Sequence, residues 1–128
     1  MTDELTIDDG KLTIRVVAMP SDTNPAGDIF GGWLMSQMDL AASTTAALTA
    51  RGRCATVAID GVVFHHPVAV GDEVSIYTRL LKVGRTSMTI DVQAWRRVRH
   101  TTEIQKVTQG CFVFVALDAE GRPRQVAV

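Results

Sequence analysis

Met19–Asp39 reads M-P-S-D-T-N-P-A-G-D-I-F-G-G-W-L-M-S-Q-M-D, and the chain continues to Ala50 as L-A-A-S-T-T-A-A-L-T-A. The first half of this stretch is turn chemistry. Pro20 and Pro25 remove backbone donors, and Ser21, Asp22, Thr23 and Asn24 carry short polar side chains that bond to nearby backbone. After Ile29 and Phe30 come paired glycines, Gly31 and Gly32, and then a helix-like run from Trp33 to about Thr49. That run contains a single charged residue, Asp39. A helix so poor in charge is expected to be buried nearly all round. An ionised carboxylate is costly to bury unless something compensates it. Asp39 falls four residues after Met35 and three before Ala42, so it shares their face. One reading makes it a catalytic acid or base. The other makes it a structural acid bonded to backbone amides or to an arginine, and the residues alone leave the two open.

Outward from the helix, the chain reads as strands. Lys11 to Met19 alternates, with Leu12, Ile14, Val16 and Ala18 on one side. The helix is expected to begin near Gly31 or Gly32, glycines that let another backbone or a ligand come close. It is expected to end at Ala50-Arg51-Gly52-Arg53, with Gly52 just past the last turn and arginines at the negative end. Cys54 to Phe64 is rich in Val and Ile, with Gly61 a bulge or kink. Glu73 to Val83 and Thr86 to Val98 alternate on either side of the Val83-Gly84-Arg85 turn, and Ile104 to Leu117 is the last strand. One strand, one helix and four strands joined by short turns make an α+β domain: a single antiparallel sheet around one buried helix. Such a sheet has open edges. The Cys54–Phe64 strand is suited to pair with a copy of itself.

The chain has 128 residues and 13.9 kDa, which is one domain. Residues 11–123 form it, with a loose acidic tail over 1–10 and a short tail over 124–128. Net charge is -1 and the pI about 6.3, with no basic excess to attract nucleic acid. Cys54 and Cys111 stand apart, without a C-x-x-C, and read as two free thiols in a reducing compartment. His65 and His66 precede Pro67 but lack further ligands at metal spacing, so no metal is assigned. The N-terminus has neither the basic start nor the apolar core of a signal peptide. Leu40–Ala50 is too short and too rich in Thr and Ser to span a membrane. A cytoplasmic protein is expected.

The motif N-x-x-G-D-I-F-G-G-W at Asn24–Trp33, with S-Q-M-D at Ser36–Asp39, resembles the hotdog-fold acyl-CoA thioesterases. The similarity is to the bacterial broad-specificity acyl-CoA hydrolases related to the brain-type acyl-CoA hydrolase. It continues in T-V-A-I-D at Thr56–Asp60, F-x-x-P-V-x-V-G-D at Phe64–Asp72, L-K-V-G-R-T-S at Leu81–Ser87 and C-F-V-F-V-A-L-D at Cys111–Asp118. It spans about residues 14–123. The resemblance implies a hotdog fold, in which a five- to six-stranded sheet wraps a long central helix. It implies hydrolysis of acyl-CoA thioesters by homodimers with composite sites, often assembled as trimers of dimers, and no cofactor. Asp39 matches the family's catalytic carboxylate and Asn24 its loop asparagine. Backbone N–H groups at Gly31 and Gly32, at the positive end of the helix, suit the thioester oxygen. Arg85, Thr86 and Ser87, with Lys82 just before them, match the place where the family receives the CoA phosphates. The rival readings are a hotdog hydratase or dehydratase, which needs a loop histidine that Pro20–Gly32 lacks, and a non-catalytic acyl-CoA-binding hotdog protein, which needs no acid on the helix.

Overall fold

The computed structural model describes residues 10–126; the expected tails over 1–9 and 127–128 lie outside the described residues. Strand β1 (Lys11–Val17) leads through a 3-10 turn, Pro20–Asp22, to helix α1 (Gly31–Ala50). Four strands follow: β2 (Cys54–Asp60), β3 (Glu73–Val83), β4 (Ser87–Arg97) and β5 (Ile104–Ala116). They form one antiparallel sheet in the order β1-β3-β4-β5-β2, and α1 lies across all five strands. The α+β architecture expected from the sequence is present, with five strands among the described residues.

α1 reaches the sheet through small residues. Ala41, Ala42 and Ala46 are fully buried and flanked by Leu34 and Met38. Opposite them lie Val74 and Ile76 of β3, Met88, Ile90 and Val92 of β4, and Phe112 and Phe114 of β5. Alanines let the helix axis approach closely while the sheet supplies the bulk. Truncating Phe112 or Phe114 to Ala would cost about 3–5 kcal/mol. A hydroxylic seam crosses this interface: Thr78 Oγ1 lies 2.7 Å from both Thr13 Oγ1 and Thr45 Oγ1, so the buried Thr78 is satisfied.

Several features differ from the sequence expectation. The connection after β2 is not a short turn, and β2 does not neighbour β3. Residues 61–72 cross the sheet, and β2 pairs with β5 at the far edge, with Thr56 opposite Phe114 and Asp60 opposite Cys111. Gly61 turns the chain with φ +75°. Gly110 lets it pass, because a Cβ there would stand 2.5 Å from Val62 Cγ2 and 3.1 Å from Asp60 O. Strand pairing therefore stops at Asp60 instead of reaching Phe64.

The helix is not buried all round. Ser36, Leu40, Thr44, Ala47 and Leu48 form an open stripe at helical spacing, and Leu48 is 72% exposed. Beside it, edge strand β2 leaves Val57 57% and Ile59 40% exposed. An apolar stripe next to an unpaired sheet edge is surface that a folded single chain does not satisfy.

On the outer face of the sheet, Ser75, Tyr77, Asp91 and Gln93 are buried although alternation places them away from the helix. Polar side chains there knit to one another and exclude water. Trp95 Nε1 donates to Gln93 Oε1, Gln109 Nε2 to Asp91 Oδ1, and Arg15 Nε to Ser75 Oγ.

At the helix end the left-handed residue is Arg51 (φ +55°), one position before Gly52. Gly52 N–H donates to Ala47 O, the long closing bond of a Schellman turn. A Cβ at Gly52 would stand 2.8 Å from Arg124 Nη2, the end of a flexible side chain. Residues 124–126, placed in a tail by the sequence reading, pack onto the domain. Val126 is 4% exposed and its N–H donates to Arg85 O, while Arg124 Nη2 donates to Ala50 O.

Candidate active site

Asp39 lies in the middle of α1, half-buried on the flank facing β2. Its Oδ1 accepts a hydrogen bond from Thr56 Oγ1 at 2.7 Å. Neither an arginine nor a backbone amide is paired with it among the described residues, so the structural-acid reading loses its expected partners. A charge-assisted hydrogen bond from a β-branched residue on a strand holds the carboxylate in one orientation. Thr56 lies within the T-V-A-I-D motif, which gives its side chain no role. Nothing in sequence spacing links positions 39 and 56; the contact appears only when β2 folds beside the helix.

The helix start presents donors without acceptors. Phe30 is the N-cap and provides no side-chain cap. Leu34 N–H is the first to close, onto Phe30 O at 3.3 Å, so Gly31, Gly32 and Trp33 N–H have no acceptor among the described residues. Such groups carry the positive end of the helix dipole. Gly31 is also crowded: a Cβ there would lie 3.3 Å from the Phe64 ring, whereas Gly32 faces open space. Within the chain, the close approach at the paired glycines is made at Gly31, by a side chain. Beside Gly31 opens an apolar pocket of about 230 Å³, walled by Phe30, Leu34, Phe64, Val68 and Val107.

Asn24 organises the loop before the helix. Its Oδ1 accepts from Ala26 N–H (3.0 Å) and Asp28 N–H (3.1 Å), and its backbone N–H donates to Asp28 O. This is an Asx turn. It occupies Oδ1 and leaves the Nδ2 amide without a partner among the described residues. Asn24 makes no hydrogen bond to Asp39 within the chain.

The β3–β4 turn is pinned by its backbone. Gly84 N–H donates to Ser87 O, Ala116 N–H to Thr86 O, and Val126 N–H to Arg85 O. The side chains of Lys82 and Arg85 are exposed and unpaired among the described residues. Thr86 and Ser87 stand beside them. Ser87 is in register with Val115, which is in register with Ala55, the neighbour of Thr56. Two strand spacings, about 10 Å, therefore separate Ser87 from the strand that holds Asp39.

A long helix without a side-chain cap, lying in a curled five-stranded sheet, with an acid at mid-helix, is a constellation that can be compared with known proteins. The thioesterase superfamily model matches residues 26–103. This chain belongs to the thioesterase superfamily. Its fold is the hotdog fold. Among relatives of the same superfamily, a Zymomonas mobilis protein described as an uncharacterized acyl-CoA thioester hydrolase is 56% identical over 117 residues, covering 91% of this chain and 78% of that one. The acyl-CoA thioester hydrolase YciA of Escherichia coli is 46% identical over 122 residues, covering 93% and 92%. The hexameric thioesterase y2039 from Yersinia pestis superposes with a TM-score of 0.90 at 44% identity, covering 95% and 99%.

Proposed function

We infer that this protein hydrolyses acyl-CoA thioesters to a free acid and CoA, with Asp39 as the group that activates attack. The carrying observation is the Asp39–Thr56 pair, a held carboxylate on an otherwise uncharged helix. The superfamily membership and the acyl-CoA hydrolases among the relatives support the substrate class. Asp39 either accepts the proton of a water that attacks the thioester carbon, or attacks that carbon itself to give an anhydride that water opens. In both routes the carbonyl oxygen gathers negative charge, which the unmet N–H groups of Gly31 and Gly32 receive. CoA leaves as a thiolate, a good leaving group that needs no strong acid. Thr56 is a positioning residue, acting through Asp39. Arg85, Thr86, Ser87 and Lys82 receive the CoA phosphates. No step calls for a cofactor or a metal.

One chain cannot supply both halves of this chemistry to one carbonyl. Asp39 lies eight residues beyond Gly31, about 12 Å along the helix axis, whereas base and oxyanion donors must both lie within hydrogen-bonding reach of the same group. The site is therefore composite: Gly31, Gly32 and Asn24 of one copy meet Asp39 of another. Pairing of two β2 edges would bring the copies together and cover Leu40, Leu48, Val57 and Ile59. Three such dimers give the hexameric form named for the Yersinia relative. We place the protein in the cytoplasm, a setting supported by two free cysteines; none of the described helices is long and apolar enough to cross a membrane.

Subunit mixing tests both the chemistry and the assembly. Asn24→Ala and Asp39→Asn are each expected to lower kcat by at least about 10²-fold. A mixed dimer carries both lesions in one site and leaves the other intact, so activity returns on subunit exchange. An active Asp39→Asn enzyme refutes the catalytic role. Two inactive variants whose exchanged mixture stays inactive refute the composite site.

A further inference from the structure

Beyond β5 the chain turns back on itself. Asp118 N–H donates to Arg122 O, and Asp118 Oδ1 accepts from the N–H groups of Glu120 and Arg122, each at 2.9 Å. The reversal sets Pro123 beside Leu117, and Arg124 N–H donates to Ala116 O. Arg124 then ties this hairpin to its surroundings. Its Nη2 donates to the carbonyl of Ala50, the last residue of α1, at 2.9 Å, and its Nε to Leu117 O at 3.0 Å. Two residues further on, Val126 is buried in the hydrophobic core, and its N–H donates to Arg85 O at 2.8 Å. That is the only hydrogen bond to Arg85 among the described residues. The neighbouring bonds, Gly84 N–H to Ser87 O and Ala116 N–H to Thr86 O, close the turn without touching Arg85.

We propose, resting on the reading of the Arg85 turn as the receiver of the CoA phosphates, that the C-terminal hairpin sets the position of that turn. Val126 is then a positioning residue that acts through Arg85, and Arg124 fixes the hairpin to the helix. An exposed arginine on a loose turn must be ordered when a phosphate binds, and that ordering is subtracted from affinity. With its carbonyl held by Val126, Arg85 has only side-chain rotamers left to settle. The tie from Arg124 to Ala50 runs to the same helix that carries Asp39. The grip on the nucleotide and the Asp39 carboxylate thereby belong to one frame within each chain. Losing a single neutral hydrogen bond from the turn should raise KM for acyl-CoA by about two- to tenfold. The effect on kcat should be small, because the Asp39–Thr56 pair is untouched.

The test compares one acyl group carried on CoA and on pantetheine, which keeps the thioester and lacks the nucleotide. Val126→Pro keeps an apolar side chain but has no N–H to give to Arg85 O. It should raise KM for acyl-CoA and leave acyl-pantetheine hydrolysis as it was. Val126→Ile keeps the donor and should restore the wild-type KM. Combined with Arg85→Ala, Val126→Pro should add nothing further, because both remove the same grip. A thermal melt shows whether Val126→Pro is folded. If it is not, Arg124→Ala decides: it leaves the Val126 N–H in place, frees the hairpin from α1, and should give the same split between the two substrates. A wild-type KM in the folded variant, an equal loss on both substrates, or effects of Val126→Pro and Arg85→Ala that add overturns the proposal and leaves the thioesterase reading intact. A wild-type KM in Arg85→Ala overturns the phosphate assignment and the proposal with it. Failure of the wild-type protein to hydrolyse either thioester overturns the thioesterase reading itself.

Discussion

Replacing Thr56 by Val removes one atom's worth of chemistry from the site and little else. The hydroxyl donates to Asp39 Oδ1 at 2.7 Å, and the residue sits on β2 opposite Phe114. Val keeps the β-branched shape and the preference for a strand, so the fold should hold, at a stability cost no larger than the hydrogen bond that goes with the hydroxyl. What is lost is a hydrogen bond to a charged group, worth about 1.5–3 kcal/mol. At about 1.4 kcal/mol per tenfold, the full loss corresponds to roughly 10–100-fold in kcat. The loss should fall on kcat, because Thr56 orients the base and contacts neither the pocket beside Gly31 nor the phosphates; KM should move by less than about threefold. Thr56→Ser keeps the donor and should recover most of the rate. CoA release followed with a chromogenic thiol reagent gives both constants, and a thermal melt checks folding. A Thr56→Val enzyme with wild-type kcat, or a Thr56→Ser enzyme as slow as the Val variant, would show that the contact only ties the helix to the strand.

Arg85→Ala should raise KM for acyl-CoA several-fold while leaving hydrolysis of a truncated thioester without the nucleotide unchanged; equal effects on both substrates would mean that the turn acts through the fold. Arg51→Gly relieves a left-handed residue (φ +55°) and should stabilise the protein by about 1 kcal/mol, seen as a rise in melting temperature of about 4 °C. No rise would show that the Arg51 side chain compensates its own strain. Burial pushes the Cys54 thiol above its ordinary value, which Arg124 only partly offsets. In a Cys111→Ser background, alkylation should therefore be slower than for free cysteine at pH 8 and should accelerate only at higher pH; a fast reaction at neutral pH would contradict the desolvated setting.

The parts of this fold legible in the sequence are those set by local rules. Glu73–Val83 was read to the residue, because alternation and the Gly84 turn agree. The helix was legible from its lack of charge, and Asp39 stood out for the same reason. What escaped depends on partners distant in the chain. The place of β2 beside β5 follows from Gly61 and Gly110 letting the crossover pass, and neither glycine announces a partner. The left-handed cap falls on Arg51, one residue before the glycine that local rules favour. Thr56 is one threonine among many until the helix lies next to it. The burial of Ser75, Asp91 and Gln93 on the outer face is not legible either, since alternation cannot say that neighbouring polar chains will cover them.

The unsatisfied features of the single chain share a direction. β2 ends the sheet with unpaired backbone, next to a helix stripe of Leu40, Thr44 and Leu48 that no described residue covers. Among the described residues, the helix start offers N–H groups without acceptors and Asn24 offers an amide without a partner. Asp39 is held by Thr56, and no other donor reaches it among the described residues. Unmet edges and exposed apolar stripes cost stability in a monomer, and unmet donors separated by about 12 Å from the base give it no chemistry. A second copy placed edge to edge at β2 covers the first set and brings the second within reach of one another. Association is then what completes the active site as well as what buries the apolar stripe. A substitution that weakens the interface, such as Ile59→Lys on β2, should therefore abolish turnover in a chain that still folds. A dissociated, folded and fully active monomer would refute that coupling.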